Sequence, residues 1–186
     1  MLDPRSRRNR LEQDFRDLSR LRGQVFDFDA STPPAPEKYI LRYRLRSVMG
    51  LRGTRPEYSS PGYIHELELR LSPAYYEVLT NDDIWFRTQP IFHPNVFANG
   101  HICVGGYSPT ESLARFIIRI AKFIQFDPAV INAGSPANMG ARDWYLSHRG
   151  LCPVDKSPLP DLEPRKLLEF GPPRSDKTLE FGPQRR

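Results

Sequence analysis

Leu113, Phe116, Ile117, Ile120 and Ile124 recur at the spacing of one helical face, with Ile118 and Phe123 on its flanks. Arg115, Arg119 and Lys122 fall away from that stripe. A helix so apolar on one side has to be covered by another element. The chain ahead of it supplies a cover with a different period. Tyr39, Leu41, Tyr43 and Leu45 alternate with Ile40, Arg42, Arg44 and Arg46. Tyr63, His65, Leu67, Leu69 and Leu71 alternate with Ile64, Glu66, Glu68 and Arg70. Period two marks strands with one apolar face. A helix packed on one face of an antiparallel sheet is an α+β arrangement.

The remaining elements follow from local signals. Asp3-Pro4 is an N-cap followed by proline at the first helical position, and Leu11, Phe15 and Leu18 continue as a helical stripe that Gly23 is expected to end. Arg5, Arg7, Arg8 and Arg10 lie around that stripe. They read either as a solvated face or as a docking face for an acidic partner. Val25 to Asp29 is a candidate edge strand, and Ala30 to Pro36 a proline-rich connector. Gly50 to Gly62 reads as a long turn, and Ile84-Trp85-Phe86 as the next strand, with Pro90 ending it or placing it at an edge. Ser108-Pro109-Thr110-Glu111 is a capping box that predicts the start of the core helix, and Asp127-Pro128 its end. Ala129 to Ala137 is a loop, and Asn138 to His148 a last short helix. Antiparallel pairing is expected to set Glu66 and Glu68 against the arginines of the preceding strand.

A length of 186 residues suits one domain, here expected over residues 1–149. From Gly150 the character changes: the last 37 residues hold seven prolines and no apolar periodicity, which predicts a disordered tail over 150–186. That tail carries Leu168-Glu169-Phe170-Gly171-Pro172 and again Leu179-Glu180-Phe181-Gly182-Pro183. Two cysteines, Cys103 and Cys152, make no disulfide framework, and the arginine-rich start lacks the apolar core of a signal peptide. A reducing cytoplasm without a membrane span is expected. The net charge of +5 fits an acidic protein partner as well as nucleic acid. The outer strand arginines have glutamates to pair with and no interleaved aromatics, which disfavours a nucleic-acid surface.

Phe92-His93-Pro94-Asn95 opens a tight polar turn, and Cys103 follows Asn95 by eight residues, ahead of the core helix. A thiol in that setting is either a small buried apolar group or a nucleophile. His65, His93 and His101 are the possible bases. Paired cysteines at zinc-ligand spacing are absent, so no metal site is expected.

Phe92-His93-Pro94-Asn95 followed by Asn99-Gly100-His101-Ile102-Cys103 resembles the active-site signature of ubiquitin-conjugating enzymes, with Ser108-Pro109 and Asp127-Pro128 similar to the pairs that bound that family's core helix. The resemblance covers about Arg5 to His148. It implies an N-terminal helix, a four-stranded antiparallel meander, an active-site loop, a core helix and a short C-terminal helix. It implies a thioester of ubiquitin or a ubiquitin-like protein on Cys103, loaded by an activating enzyme and passed to an amine of a target protein, with or without a ligase. No cofactor is implied. Asn95 would support the oxyanion or brace the loop, and His93 and Pro94 would shape the turn. Asn132, or Ser135 as second choice, would stand at the family's gate position. The arginines of the first helix would meet the activating enzyme.

Departures are visible. The four residues Val104 to Tyr107 replace about ten in the family, Tyr107 stands where tryptophan is common, and Asn81-Asp82-Asp83 replaces a proline-rich run. These make the chain similar to divergent members carried in bacterial operons with an activating enzyme, a ubiquitin-like protein and a deconjugating peptidase, a setting of antiphage defence. The rival expectations are a non-catalytic module of the same fold that binds a ubiquitin-like protein, and a basic nucleic-acid-binding protein.

Overall fold

The computed structural model describes residues 3–73, 75, 79–105 and 111–162. Tyr107, the expected capping residues Ser108 to Thr110 and both Leu-Glu-Phe-Gly-Pro segments lie outside them. Helix α1 spans Pro4–Ser19, and the Asp3 carboxylate accepts the backbone N–H groups of Arg5 and Ser6 as an N-cap. Leu11 and Leu18 are buried along its inner face. It stops at Ser19 with Arg20 as C-cap, ahead of the expected Gly23. Strands β1 (Phe26–Ala30), β2 (Lys38–Tyr43), β3 (Val48–Arg52), β4 (Arg55–Tyr58), β5 (His65–Arg70) and β6 (Ile84–Phe86) follow.

The main sheet is four-stranded and antiparallel in the order β1-β2-β5-β6, so β1 and β6 are its edges. Register sets Arg42 opposite Glu66, and the two side chains pair at 2.9 Å while Arg42 also reaches Asp29 at 2.6 Å. Glu68 faces Ile40 rather than an arginine and instead pairs with Lys38 and Arg70. The stretch expected as a long turn is a separate hairpin of β3 and β4. Gly53, at φ +64, turns the chain between the paired residues Arg52 and Arg55. Glycine takes that left-handed geometry without strain, and its twist suits a two-residue hairpin. Pro56 is tolerated because a two-stranded sheet has only edges.

Helix α2 spans Leu113–Gln125, with Ser112 as its N-cap and Phe126 in left-handed geometry at its C-cap. The expected start at Ser108 was too early. Asp127 helps to end α2 as expected, its N–H donating to the Lys122 carbonyl at 2.9 Å, and its carboxylate also caps the short 3-10 turn Pro128–Val130. Leu113, Phe116, Ile117, Ile120 and Ile124 are fully buried against Tyr39, Leu41, Tyr43, Leu67 and Leu69 of the sheet. The Tyr43 hydroxyl crosses this interface and donates to the Ile117 carbonyl at 3.1 Å. Helix α3 spans Met139–Ser147 and starts on an Asn138 cap. Its Trp144 and Tyr145 join Val48 and Phe126 in a second apolar cluster between the hairpin and the end of α2.

The chain continues to pack past residue 150, where a disordered tail was expected. The Asp155 carboxylate accepts the Arg46 N–H at 2.5 Å, Val154 N–H donates to the Gln125 carbonyl at 2.8 Å, and Gln125 Nε2 donates to the Ser157 carbonyl at 2.7 Å. Leu159 and Leu162 rest on the main core. A prolines-and-few-apolars composition thus belongs to an extended strap, held by its backbone and by isolated leucines rather than by a periodic face.

Candidate active site

Residues 92–105 fold back on themselves at the β6 edge. Phe97 N–H donates to the His101 carbonyl and Gly100 N–H to the Phe97 carbonyl, both at 2.9 Å. Gly100 has φ +88, and a Cβ there would lie 3.3 Å from the Phe86 carbonyl oxygen, so both the turn and the close approach to β6 require glycine. Phe86 N–H donates to the Gly100 carbonyl at 2.9 Å and Ile102 N–H to the Ile84 carbonyl at 3.3 Å, which adds a short strand stub to the sheet. Alternation along the stub buries Ile102 and Val104 and leaves Cys103 half-buried. Cys103 N–H donates to the Asn95 carbonyl at 2.7 Å, so the backbone of the cysteine is joined directly to the turn.

His93 is the internal post of the turn. Its ring is fully buried, with the Phe123 and Phe126 rings at centroid distances of 5.6 and 4.5 Å. Nδ1 accepts the Asn95 N–H at 3.0 Å, which places the ring hydrogen on Nε2. Burial pushes the imidazole pKa down to about 3. A neutral ring with its acceptor nitrogen already engaged shapes the loop and does not serve as a base. Pro94 fixes the far side: its carbonyl accepts Ala137 N–H at 2.7 Å and Asn138 N–H at 3.1 Å, at the entrance to α3.

Asn95 is 4% exposed, and its Oδ1 accepts the Asn132 N–H at 3.1 Å. Among the described residues its Nδ2 has no hydrogen-bond partner. Asn132 Oδ1 in turn accepts the Ser135 N–H at 3.1 Å, so both candidates for the gate position sit in one loop tied to Asn95. Their side chains stand in exposed positions.

The other histidines are not assembled with the thiol. His65 is buried on β5 with Nε2 against the Leu45 carbonyl at 3.1 Å, and burial lowers its pKa to about 4. His101 lies against the Trp85 ring and donates from Nδ1 to the Asn81 carbonyl at 2.9 Å. The candidate docking arginines divide. Arg7 pairs with Glu37 and donates to the carbonyls of Leu71 and Ser72, and Arg10 pairs with the buried Asp14 at 3.1 Å. These two tie α1 to its neighbours. Arg5 and Arg8 are exposed, Arg8 with Glu12 one turn on at 3.0 Å.

Three residues at the site escaped sequence reasoning. Asn81 Oδ1 accepts the Val104 N–H at 3.1 Å, the Arg119 guanidinium donates to the Val104 carbonyl, and Glu111 pairs with Arg119 at 2.7 Å. Asn81 had registered only as part of a departure from a proline-rich run. Arg119 was visible as a residue off the apolar stripe, without a target. Among the described residues no three His, Cys, Asp or Glu side chains group as metal ligands, and no helix is long and apolar enough to cross a membrane.

No family model matches the chain. A stretch of 63 residues, 32% of the chain, is 40% identical to ubiquitin-conjugating enzyme E2 2 of Trichoderma harzianum, and 65 residues are 35% identical to the enzyme of that name from Candida albicans. The chain spans 39% and 34% of the lengths of those two relatives. Homology to the ubiquitin-conjugating family is therefore distant and partial. Of solved structures, one described as a novel ubiquitin-conjugating enzyme superposes with a TM-score of 0.53 at 16% identity, over 82% of this chain and 96% of that one. Ubc12 of S. cerevisiae superposes with a TM-score of 0.51 at 19% identity, over 76% of this chain and 72% of that one. The fold is the α+β fold of ubiquitin-conjugating enzymes, with an N-terminal helix, a four-stranded antiparallel sheet and later helices. The sequence relatives are fungal, and the expected placement among bacterial operon members, with its antiphage setting, finds no support in them.

Proposed function

We propose that this protein carries ubiquitin or a ubiquitin-like protein as a thioester on Cys103 and transfers it to an amine of a target protein. The observation that supports this reading is the bond from Cys103 N–H to the Asn95 carbonyl, which ties the residue bearing a half-buried thiol to the turn residue whose side-chain Nδ2 is uncommitted among the described residues. In loading, the Cys103 thiolate attacks the modifier's C-terminal thioester on an activating enzyme. A new C–S bond forms and the activating enzyme's thiolate leaves. In discharge, the amine nitrogen attacks the same carbonyl carbon, the C–N bond forms, the C–S bond breaks to return the Cys103 thiolate, and the amine releases a proton to solvent. Each step passes through a tetrahedral oxyanion. Asn95 Nδ2 is the donor available to it, while Oδ1 holds the Asn132 loop; a lost donor of this kind costs about 10²-fold or more in rate. The thioester arrives activated, so the chemistry needs no cofactor. The buried His93 takes no proton in it.

The test is to load the protein with an activating enzyme and modifier in three forms. The native chain is expected to give an adduct that thiol reductant cleaves. Cys103→Ser is expected to give at most a reductant-stable oxyester and no transfer. Cys152→Ser is expected to behave as the native chain. A reductant-labile adduct on the Cys103→Ser protein would refute the assignment.

A further inference from the structure

Val104, the residue after the cysteine, has both of its backbone groups held by side chains from distant parts of the fold. Its N–H donates to Asn81 Oδ1 at 3.1 Å, and its carbonyl accepts from the Arg119 guanidinium. Neither holder is free to drift. Asn81 has its own carbonyl occupied by His101 Nδ1 at 2.9 Å, two residues before the thiol. Arg119 is gripped by both oxygens of the Glu111 carboxylate, at 3.2 and 2.7 Å, and only about a fifth of each side chain is exposed. The Glu111 backbone carbonyl accepts from Arg10 at 3.4 Å, which anchors the pair to α1 as well as α2.

A strand in the middle of a sheet has its peptide groups held by two neighbouring strands. The stub that carries Cys103 is added at an edge, with β6 on one side and the Asn95 turn on the other. Among the described residues no strand of the main sheet pairs with it past Ile102. Side chains stand in for that missing ladder. The Val104 side chain is buried at 2% exposure, so its peptide groups cannot all turn to water, and an unmet group there carries a desolvation cost. Yet a lone water-exposed polar side chain would meet a carbonyl. A half-buried, doubly bonded ion pair is a more demanding solution, because its two charges are partly withdrawn from water. What it adds is geometric: a guanidinium fork locked by a carboxylate has one orientation. Val104 is followed by Gly105 in left-handed geometry, with φ +68.

We propose that Asn81, Arg119 and Glu111 are positioning residues for Cys103, which fix the thiol by pinning the peptide groups on both sides of Val104. This rests on Cys103 being the reacting thiol. None of the three needs to touch the modifier or the amine. They act by keeping the sulfur where a bulky thioester and an incoming nitrogen can both reach it. A misplacement on the order of 1 Å is enough to cost about 10²-fold in such a transfer.

The test uses the full chain in a Cys152→Ser background, with Asn81→Ala, Arg119→Leu and Arg119→Lys. Two readouts need no modifier: hydrogen exchange of the Val104 amide, and the rate of Cys103 alkylation by iodoacetamide from neutral to alkaline pH. The third is transfer of a loaded modifier to free lysine. Asn81→Ala is expected to speed exchange at Val104 by about tenfold while core amides of α2 stay protected. Arg119→Leu is expected to speed alkylation, since the thiol leaves its half-buried seat, and to slow transfer by about tenfold or more. Arg119→Lys keeps one donor for the Val104 carbonyl and is expected to recover most of the transfer. Opposite movements of alkylation and transfer separate positioning from general loosening. Native alkylation and native transfer in both Arg119→Leu and Asn81→Ala would overturn the proposal. If Arg119→Leu does not fold, Asn81→Ala, which leaves the ion pair whole, decides the question by itself. If the native chain accepts no modifier, the thioester reading falls, and exchange and alkylation still decide whether the thiol is held this way.

Discussion

Burial keeps the His93 and His65 rings neutral, with pKa values pushed down to about 3 and about 4 from an ordinary 6.5. In the unfolded chain both rings take up protons as pH falls through 6.5, while the folded protein resists until much lower. The unfolded state therefore binds more protons across that window, and stability declines with acidification. For His65 the difference amounts to about 3 kcal/mol once the window is crossed. Asp14 acts in the opposite sense: burial raises its pKa above 3.8, against the pull of Arg10 and the Tyr75 hydroxyl, so its charged form is the one that folding disfavours. The urea midpoint is expected to fall from pH about 6.5 toward about 4, and His65→Gln to flatten that slope. A native slope retained in the variant would remove His65 as a source. At this scale the sequence made Cys103, Asn95, His93 and Pro94 legible because they lie in one turn. Asn81 and Arg119 meet Val104 from 23 and 15 residues away in sequence. A side chain that seeks a backbone group over such a distance leaves no periodic trace, because its partner is the same in every residue type.

The first helix illustrates how a charge run conceals two different kinds of residue. Arg7 and Arg10 face inward enough to join Glu37, the Leu71 and Ser72 carbonyls, Asp14 and the Glu111 carbonyl. Reversing Arg10 to Glu would put a second carboxylate beside the buried Asp14, and breaking such a pair costs about 3–5 kcal/mol. Arg5→Glu together with Arg8→Glu removes only exposed groups, so the melting temperature is expected to hold while loading by an activating enzyme slows. An unchanged loading rate would leave Arg5 and Arg8 as a solvated face. The arginines could not be sorted by periodicity alone, since long side chains bend around a helix to partners on either flank. Elsewhere the strong signals were legible: the stripe of α2, the alternation of β2 and β5, and the N-cap of α1. The β3-β4 hairpin was hidden by Gly50 and Pro56, which read as breakers. The start of α2 was misplaced because a capping box is a local signal, and the Ser112 cap that operates carries no matching acid three residues on.

On the scale of the whole molecule, the strap over residues 150–162 closes the domain. It passes from α3 to the Arg46 corner, along the end of α2 and onto the main core. Composition concealed it, because an extended segment that docks through backbone groups and two leucines needs no apolar pattern. A chain ended after residue 162 is expected to melt with the full-length protein. One ended after residue 150 loses Asp155, Ser157, Leu159 and Leu162 from their seats and is expected to melt lower by roughly 5 °C or more. Equal melting of the two truncations would show that the strap adds nothing to the fold. Cys152 lies at the root of this strap, half-buried in the second cluster, where burial pushes its thiol up to about 11. At neutral pH it is almost wholly protonated, and the thiolate is the form that reacts with electrophiles. The native protein therefore carries its own chemical clock. Once Cys103 is blocked, a second label is expected to enter slowly, at a pace set by the small thiolate fraction of Cys152.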